Sequence, residues 1–425
     1  SACCYTSTCV KILLRFIMSG SNVFQLQGAV QQYLWGKVGG ESMVAKLCSQ
    51  SDANFIIQDE PYAELWMGAH PKAPSNVMGK QQTLLQFLNE NPTLLGDKVN
   101  SQFGSLPYLF KVLSVNKSLS IQAHPNKDLA QKLHKEFPDI YKDPNHKPEM
   151  AIALTPFEAL CGFRPLNEIV NYINNIPELA TVVGENAVAK LKSETKLSNC
   201  VSSALKECFS NVILCSKEVR EKQLTGLITR VKEMSSESGD LSSVNGELLL
   251  KLYFQFPGDV GCFVIYFLNH INLKPAEALF LGANVPHAYL YGDCIECMAC
   301  SDNVVRAGLT PKLVDAGTLC EMLEYIPTAA SERIFCPSAS PETSELVYNP
   351  PINDFAVIKV EVQGGNYNFP TYESASIVLF ISGEAEIVGS QNPVKPGVIL
   401  FVPSNAKLEV KVTKPLVAYR ALCLL

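Results

Sequence analysis

The sequence predicts a mainly β protein that is interrupted by a block of helices. Residues 23–164 alternate short apolar strand patterns with turns, and strand patterns return at Gly261 and continue toward the C-terminus. From Leu166 to about Phe256, apolar residues repeat at the three- and four-residue spacing of amphipathic helices. The last part of the chain carries short strands at regular spacing, which is typical of a β-sandwich or a jelly roll.

The first strand-rich region contains a predicted hairpin, a helix and a further strand. Residues 107–123 have two strand patterns on either side of a turn at Asn116 and Lys117, which predicts a β-hairpin. A helical pattern follows at 127–137, and 150–154 is a short apolar strand pattern.

The helical block and the strands after it are defined by the same periodicities. Leu166, Ile169 and Ile173 share one helical face, whereas 235–243 is rich in serine and predicts a loop. Further strands are predicted at 262–269, 278–281, 293–299, 355–362, 375–381, 384–388, 398–402, 407–412 and 417–424.

A weak internal repeat links the two halves of the later strand region. The segment Lys274–Gly282 resembles Lys395–Pro403 in its order of lysine, proline and apolar residues. The first copy continues to His287, whereas the second continues to Lys407 without a histidine. We therefore expect two related β-barrels, one with a functional site and one without.

Length and charge limit the functional classes. A chain of 425 residues is expected to form two or three domains. Hydrophobic residues make up 47% and charged residues 18%, and the net charge is −6, so the basic surface typical of nucleic-acid or anionic-membrane binding is not expected. No apolar run reaches the roughly 18 residues of a spanning helix. We expect a cytoplasmic monomer that acts on a small molecule.

The fifteen cysteines predict free thiols rather than disulfides. Their number is odd, and most of them, such as Cys262, lie within apolar runs, as expected in a reducing compartment. The series Cys294, Cys297 and Cys300 offers a candidate metal site, but residues three apart face opposite sides of a strand, which favours core packing.

The first residues predict an extension outside the fold. Lys11 and Arg15 lie inside a short apolar patch, which does not fit a signal peptide. We expect Met18 to be the natural start and residues 1–20 to be a poorly ordered N-terminal extension.

Histidine is scarce, and two of the six histidines lie in settings that suit metal binding. The side chains of Ser120, Gln122 and His124 share one face of a strand, because successive side chains alternate. Glu149 and His287 come from two other segments. Two imidazoles, a carboxylate and an amide oxygen suit a catalytic zinc ion. Each histidine also fits a hydrogen-bonded structural residue.

Five segments resemble type I mannose-6-phosphate isomerases, in that family's order and approximate spacing. These segments are Pro61–Gly68, Leu119–Pro125, Tyr141–Met150, Pro286–Leu290 and Ser301–Lys312. The resemblance covers nearly everything from Val23 to Leu425 and implies a cupin-type architecture, with a catalytic β-barrel, a helical insertion and a second barrel without metal.

The resemblance also implies a site and a reaction. It implies one zinc ion bound by Gln122, His124, Glu149 and His287, with Arg306 as the active-site arginine. The implied reaction interconverts mannose 6-phosphate and fructose 6-phosphate and feeds GDP-mannose and protein glycosylation.

The domain boundaries follow from the patterns and the resemblance together. We predict the N-terminal extension at 1–20, the first part of the catalytic cupin domain at 21–164, the helical insertion at 165–260, the second part of the catalytic domain at 261–330 and a metal-free cupin-like domain at 331–425.

The reaction moves a proton between C1 and C2 of the sugar, through an enediol(ate), and therefore needs a positioned base. Glu296 is one candidate, because burial in an apolar strand would raise its pKa toward neutrality. It could instead form a structural pair with Arg306. Lys147 and His146 are rival candidates.

A dianionic phosphate predicts converging cations, and arginine binds phosphate in a fork. The candidate cations are Lys111, Lys147, Arg306 and Lys312. Ser120 offers a hydroxyl, and Tyr289 and Trp35 are candidates for the wall of the sugar pocket. Trp35 fits core packing equally well.

Two other functions would use the same residues. His124, Glu149 and His287 form the two-histidine, one-carboxylate set that holds Fe(II) for oxygen chemistry. A non-catalytic sugar-binding cupin is the second alternative, and the presence of Arg306 and Glu296 favours catalysis over it.

Overall fold

The computed structural model describes residues 23–194, 202–237, 239–339, 344–390 and 393–425. The predicted N-terminal extension lies outside these described residues. The chain divides into two compact units. Unit 1 comprises Ser1–Ser114, Asp293–Cys300 and Cys336–Leu425, and unit 2 comprises Val115–Gly292 and Ser301–Phe335.

Unit 1 contains a large antiparallel sheet with an apolar core against it. In order across the sheet, its strands are Ser338–Ala339, Glu345–Tyr348, Ala356–Val362, Leu408–Leu422, Ser376–Ile387, Ile399–Val402, Phe24–Gln27 and Asn76–Val77. Gly365–Phe369 pairs with Leu408–Leu422, and Pro393–Val394 pairs with Ser376–Ile387. Val360, Phe380 and Leu400 belong to the core, because alternate residues of each strand face it.

The remaining elements of unit 1 are short. Its other strands are Ala29–Gln31, Lys37–Val38, Pro61–Tyr62, Glu64–Gly68 and Tyr108–Val115, the last of which ends in unit 2. The helices are Met43–Ser51, Leu84–Glu90 and Asp97–Phe103, with 3-10 turns at Gly39–Glu41 and Pro92–Leu95.

Four of the short strands predicted in the last block are joined into two long ones. The prediction of separate strands at 375–381 and 384–388 is wrong, because the single strand Ser376–Ile387 continues through a bulge. Gly383 makes this possible: its φ is 89°, and a Cβ there would lie 2.2 Å from the carbonyl oxygen of Pro415. The strand Leu408–Leu422 similarly joins the segments predicted at 407–412 and 417–424.

Unit 2 brings together strands from distant parts of the chain. They are Ile121–Ala123, Glu149–Ala153, Phe157–Phe163, Leu268–Leu273, Ala278–Leu281, Val305–Gly308, Ile334–Phe335 and the beginning of His287–Ala299. The strand Ala278–Leu281 lies where it was predicted, and it holds the same place in its repeat as Ile399–Val402 holds in the other copy.

The predicted hairpin at 107–123 is wrong in its second half. Ile121–Ala123 pairs with the strand that starts at His287 and with Val305–Gly308. The backbone N–H of Leu119 donates to the carbonyl of Tyr289 at 2.8 Å, so the return segment is held by these later strands. Pairing with later strands places Gln122 between two segments that lie far away in the sequence.

The helices of unit 2 confirm the predicted helical block. They are Lys127–Glu136, Leu166–Asn175, Pro177–Val183, Glu185–Glu194, Ser203–Ile213, Lys217–Glu237, Gly246–Gln255, Gly261–Val264, Ala316–Met322 and Ala330–Arg333, with a 3-10 turn at Ser242–Val244. Residues 235–237, predicted as a loop, continue the helix Lys217–Glu237. The prediction of one strand at 262–269 is wrong in its first part, because a fully apolar run does not distinguish a buried helix from a buried strand.

Asp259 fixes the end of the helical block to the loop after Val305–Gly308. Its Oδ1 accepts hydrogen bonds from the backbone N–H groups of Gly261 and Leu309, each at 2.6 Å, and its Oδ2 accepts from that of Thr310 at 3.2 Å. A Cβ on Gly308 would lie 2.7 Å from the backbone nitrogen of Gly261, so the two segments are in direct contact.

Sheets with one helical region therefore make up the described chain, as predicted at the level of fold class. The described helices include none long and apolar enough to cross a membrane.

Candidate metal centre

His124, Glu149 and His287 reach the same point in unit 2 from three segments. His124 directly follows the strand Ile121–Ala123, and Glu149 and His287 are the first residues of their own strands. One ligand atom from each residue lies within 4.8 Å of the others. Among the described residues, this is the one group of three or more histidine, cysteine, aspartate or glutamate side chains that could hold a metal ion.

The Glu149 carboxylate lies between the two imidazole rings. Its Oε1 is 3.4 Å from Nε2 of His124, and its Oε2 is 3.3 Å from Nε2 of His287. The centroids of the two rings are 5.1 Å apart. Lys147 adds a positive charge on one side, with its Nζ 3.1 Å from Oε1 of Glu149.

Backbone carbonyls orient both imidazole rings. Nδ1 of His124 lies 2.6 Å from the carbonyl oxygen of Asn303, and Nδ1 of His287 lies 2.8 Å from that of Val285. Because a carbonyl only accepts, each Nδ1 must donate its proton there. Each Nε2 is then left with its lone pair directed toward the centre, which is the arrangement of a metal-binding histidine.

The centre is buried from solvent, and some of its polar atoms have no hydrogen-bond partner among the described residues. His124, Glu149 and His287 are 0%, 2% and 1% exposed. Nε2 of both histidines and Oε2 of Glu149 are buried and have no hydrogen-bond partner among the described residues. Leaving such atoms unpaired is costly, and a divalent cation bound between them would satisfy all three. This donor set suits zinc.

Burial and neighbouring charge set the protonation of the centre. Burial lowers the pKa of His124 to about 4, against the opposing effect of Glu149, so this ring is neutral at pH 7. Burial would raise the pKa of Glu149, but the positive charge of Lys147, 3.1 Å from Oε1, opposes it, and that pKa lies well below its usual value. A neutral imidazole and an ionised carboxylate are the states that bind a metal.

Gln122, the fourth predicted ligand, is opposite two other predicted residues. It pairs with His287 on one neighbouring strand and with Arg306 on the other. Directly opposite residues of antiparallel strands project from the same face. The side chains of Gln122, His287 and Arg306 therefore start from one face of the sheet.

Arg306 and Lys312 line the same cavity in unit 2, which has a volume of about 310 Å³. Burial of the Arg306 guanidinium lowers its pKa from the usual value, so this charge is partly stripped of water. Tyr141, Asp139 and Asp315 also line it, and the Tyr141 hydroxyl donates to Oδ2 of Asp315 at 2.7 Å. The cavity is large enough for a small anionic group.

Two further predicted residues lie in unit 2. Tyr289 is buried, with its ring centroid 6.3 Å from that of His287, and its ring packs edge-on against Phe157. Ser120 is half-buried and precedes the strand Ile121–Ala123. His146, the rival base, is also half-buried.

Three family models match the chain. The model "Phosphomannose isomerase type I, catalytic domain" matches residues 23–166, the helical insertion domain model of the same family matches 182–268, and its C-terminal model matches 344–391. Together these matches span more than half of the chain.

The chain belongs to the type I phosphomannose isomerase family. This confirms the family and the isomerase class that the sequence predicted. Full-length relatives agree. The mannose-6-phosphate isomerase of Rattus norvegicus is 51% identical and that of Homo sapiens 49% identical, and each match covers 96% of this chain and 100% of the relative.

A solved structure of this phosphomannose isomerase family has the same fold. It is described as mannose 6-phosphate isomerase bound with zinc and yttrium, is 31% identical, and superposes with a TM-score of 0.81 over 95% of this chain and 100% of its own. That neighbour binds zinc, and unit 2 of the present chain has a cluster that could hold a metal.

Three of the predicted site residues lie in unit 1. Nζ of Lys111 is 2.9 Å from Oε2 of Glu296 and 3.4 Å from Oε2 of Glu64, so Lys111 is held between two buried carboxylates. The sequence offered Arg306 as a structural partner for Glu296. Within unit 1, Glu296 forms an ion pair with Lys111. Trp35 is half-buried and stacks on Tyr33 with a centroid distance of 5.8 Å.

The series Cys294, Cys297 and Cys300 forms no metal-binding group with the other described residues. Cys294 and Cys297 are fully buried, and burial raises the pKa of both thiols well above the usual value. A protonated thiol is a poor ligand, so core packing is the better description. The cysteines of the described residues are free.

Sequence reasoning missed the residues that orient the histidines. Val285 and Asn303 act through main-chain carbonyls, and every residue type has a carbonyl, so no side-chain pattern marks them. Asn303 lies within the segment Ser301–Lys312, whose resemblance to phosphomannose isomerases was its one available signal.

Proposed function

We propose that this chain is a zinc-dependent mannose-6-phosphate isomerase that interconverts mannose 6-phosphate and fructose 6-phosphate through an enediol(ate). Its product would supply GDP-mannose synthesis and protein glycosylation. The observation that carries the proposal is the buried trio His124, Glu149 and His287, whose unpaired atoms face one another in a chain of this family. The relatives' names describe enzymes that act on mannose 6-phosphate.

One zinc ion would be held by His124, Glu149, His287 and Gln122. The first three supply nitrogen and carboxylate oxygen ligands, and Gln122 would supply an amide oxygen from its position opposite His287. When bound, zinc would polarise the sugar oxygens and stabilise negative charge on the enediolate. The buried walls around these residues would exclude water from the reacting carbons.

Arg306 and Lys312 would bind or neutralise the anionic substrate. They line one cavity, and Arg306 pairs directly with Gln122, a proposed ligand, on the neighbouring strand. Arginine offers two parallel donors to a phosphate or an enediolate oxygen, and lysine adds a point charge. Ser120 and Tyr289 are proposed as further sugar contacts.

Two residues are proposed as candidates for the base that moves the proton. Lys147 contacts Glu149 in unit 2 and would hold or deliver a proton beside the ligands. Glu296 is the alternative that the sequence favours, and its buried pair with Lys111 keeps a carboxylate away from water. Substitution of each residue, with pH profiles of turnover, would assign the role.

The finer architecture is also a proposal. We propose a catalytic cupin-type barrel interrupted by the helical insertion at 165–260, and a second, metal-free cupin-like domain at 331–425. The strands Ala278–Leu281 and Ile399–Val402, at matching places in the repeat, support this relation. We propose a cytoplasmic, monomeric enzyme, and size-exclusion chromatography with light scattering would test the monomer.

The deciding experiment measures turnover of mannose 6-phosphate in a coupled assay. Activity is measured before chelation, after chelation and after zinc is added back. Loss and recovery of turnover support the proposal, and full activity in metal-free protein would overturn it. Metal analysis and oxygen uptake in the same preparation separate it from an Fe(II) oxygenase, and the absence of any turnover would favour a sugar-binding protein.

A further inference from the structure

Asn303 bonds two segments that carry proposed zinc ligands, and we infer that it is a positioning residue for the metal centre. The inference rests on the proposed zinc site. Asn303 is 2% exposed and contacts both the histidine segment and the segment that leads to Glu149. It lies three residues before Arg306.

The side chain of Asn303 holds the segment before Glu149. Its Nδ2 donates to the carbonyl oxygen of Asp143 at 2.6 Å and to that of Asn145 at 2.7 Å. An amide nitrogen has two protons, so these two bonds use its whole donor capacity. The segment that they fix continues directly through Lys147 to Glu149.

The main chain of Asn303 holds the histidine. Its carbonyl oxygen accepts the proton of Nδ1 of His124 at 2.6 Å. This bond sets the ring's tautomer and rotation, and so the direction of Nε2. Asn303 thus holds His124 through its backbone and the segment before Glu149 through its side chain. These bonds together set the distance between the ligand atoms of His124 and Glu149.

Neighbouring residues make the connection rigid. Ser301 Oγ donates to the carbonyl of Asn145 at 3.0 Å and accepts from the backbone N–H of Asn303 at 3.2 Å. The backbone N–H of Asp302 donates to Oδ2 of Asp143 at 3.2 Å. Ser301, Asp302 and Asn303 therefore each bond to the segment Asp143–Asn145, and Asn303 also bonds to the proposed ligand His124.

The test compares zinc affinity in the full-length chain. Asn303→Ala keeps the backbone carbonyl and removes both amide bonds, so His124 stays oriented while the segment before Glu149 is released. Outer residues of this kind typically change metal affinity by about 10–100-fold, and we expect a loss in that range. Affinity is measured on chelated protein by competition for Zn²⁺ against a chromophoric chelator.

Asn269→Ala is the matched control. Asn269 is also 2% exposed, and its Nδ2 bonds backbone carbonyls, those of Cys161, Gly162, Phe163 and Thr328. None of these belongs to His124 or to the segment before Glu149. Cys161 pairs with His287, but that strand pairing is a main-chain contact that the substitution leaves in place. We expect both variants to lose stability in urea denaturation, and Asn269→Ala to keep zinc affinity within about twofold of the wild type, since a general loss of packing is not the cause proposed here.

Three results would overturn the inference. The first is a zinc affinity of Asn303→Ala that stays within about twofold of the wild type. The second is a loss of zinc affinity in Asn269→Ala as large as that in Asn303→Ala. Wild-type protein that binds no zinc would remove both this inference and the proposed function, whereas wild-type binding with an unaffected Asn303→Ala removes this inference alone. If Asn303→Ala does not fold, Asn303→Ser, which keeps one donor, should show an intermediate loss of affinity.

Discussion

Gln122 lies directly opposite Arg306 in the antiparallel pairing of Ile121–Ala123 with Val305–Gly308. Their side chains therefore start from the same face, the face that His287 also uses through its own pairing with Gln122. A proposed ligand and a proposed substrate-binding cation are thus neighbours through sheet register alone. A slip of the strand Ile121–Ala123 by one residue would send the side chain of Gln122 to the other face, away from those of His287 and Arg306.

Arg306→Ala should keep its metal and lose turnover. Arg306 contributes charge in the cavity and is not among the atoms that face the proposed ion. Removal of one donor to a developing oxyanion typically lowers kcat by about 10²–10³-fold, and we expect a loss of that order. Metal content and kcat are measured on the same preparation.

Arg230→Ala is the control for this substitution. Arg230 forms an ion pair with Glu178 in the helical region at 2.7 Å, and its loss should leave turnover unchanged. Full activity in Arg306→Ala would show that the arginine has no part in the reaction.

His287→Ala should lose both metal and activity. Its Nε2 is one of three atoms that face the proposed ion, and the cavity left behind supplies no replacement ligand. Metal analysis after dialysis measures the loss. His270→Ala serves as a control, because His270 bonds Glu158 at 2.8 Å in the same unit and lies outside the trio. Retention of stoichiometric zinc by His287→Ala would contradict the proposed ligand set.

The stability of the zinc-free protein should fall between pH 6.5 and pH 4. Burial lowers the pKa of His124 to about 4, whereas the unfolded chain binds this proton near pH 6.5. Between these values the unfolded state holds more protons, so stability rises with pH and is lost on acidification. The loss from this residue amounts to at most about 3 kcal/mol.

Urea denaturation of metal-free protein at several pH values measures this effect. His124→Gln should have a flatter dependence than the wild type over the same range. Parallel curves for the two proteins would show that His124 does not titrate in this way.

Gly383→Ala should destabilise unit 1 without changing zinc affinity. An alanine there adopts an unfavourable φ of 89° and places its Cβ 2.2 Å from the carbonyl oxygen of Pro415. Gly365→Ala isolates the first effect, because Gly365 has a φ of 86° and open space around its Cβ position. We expect about 1–2 kcal/mol for Gly365→Ala and a distinctly larger loss for Gly383→Ala in urea denaturation. Equal losses would contradict the steric argument.

The sequence predicted the trio because a side chain's chemistry is visible in the residue type. Two imidazoles and a carboxylate in a chain with few histidines, together with the family resemblance, were sufficient. The helical block was predicted equally well, since its apolar period differs from that of strands. The hairpin at 107–123 was wrong because local turn signals do not reveal that Ile121–Ala123 pairs with strands far along the chain.

The remaining errors have local physical causes. A Ser-Gly pair normally marks a turn, but at Gly383 it forms a bulge that lets one strand continue. The apolar run from Cys262 was interpreted as strand because burial on all sides removes the periodicity that identifies a helix. The carbonyls of Val285 and Asn303 have no side-chain signal, so only coordinates reveal which ring each one orients.

The carboxylate of Asp259 ties the last turn of the helical block to the loop that leads to Lys312, so we expect the two segments to open together. Three backbone N–H groups would lose their acceptor together if either segment detached. If Lys312 binds the substrate phosphate as proposed, mild heating that frays the helices should weaken substrate binding first, while the neighbouring strands still resist hydrogen exchange. Sensitivity of the enzyme to temperature would then appear as a rising KM well before cooperative melting.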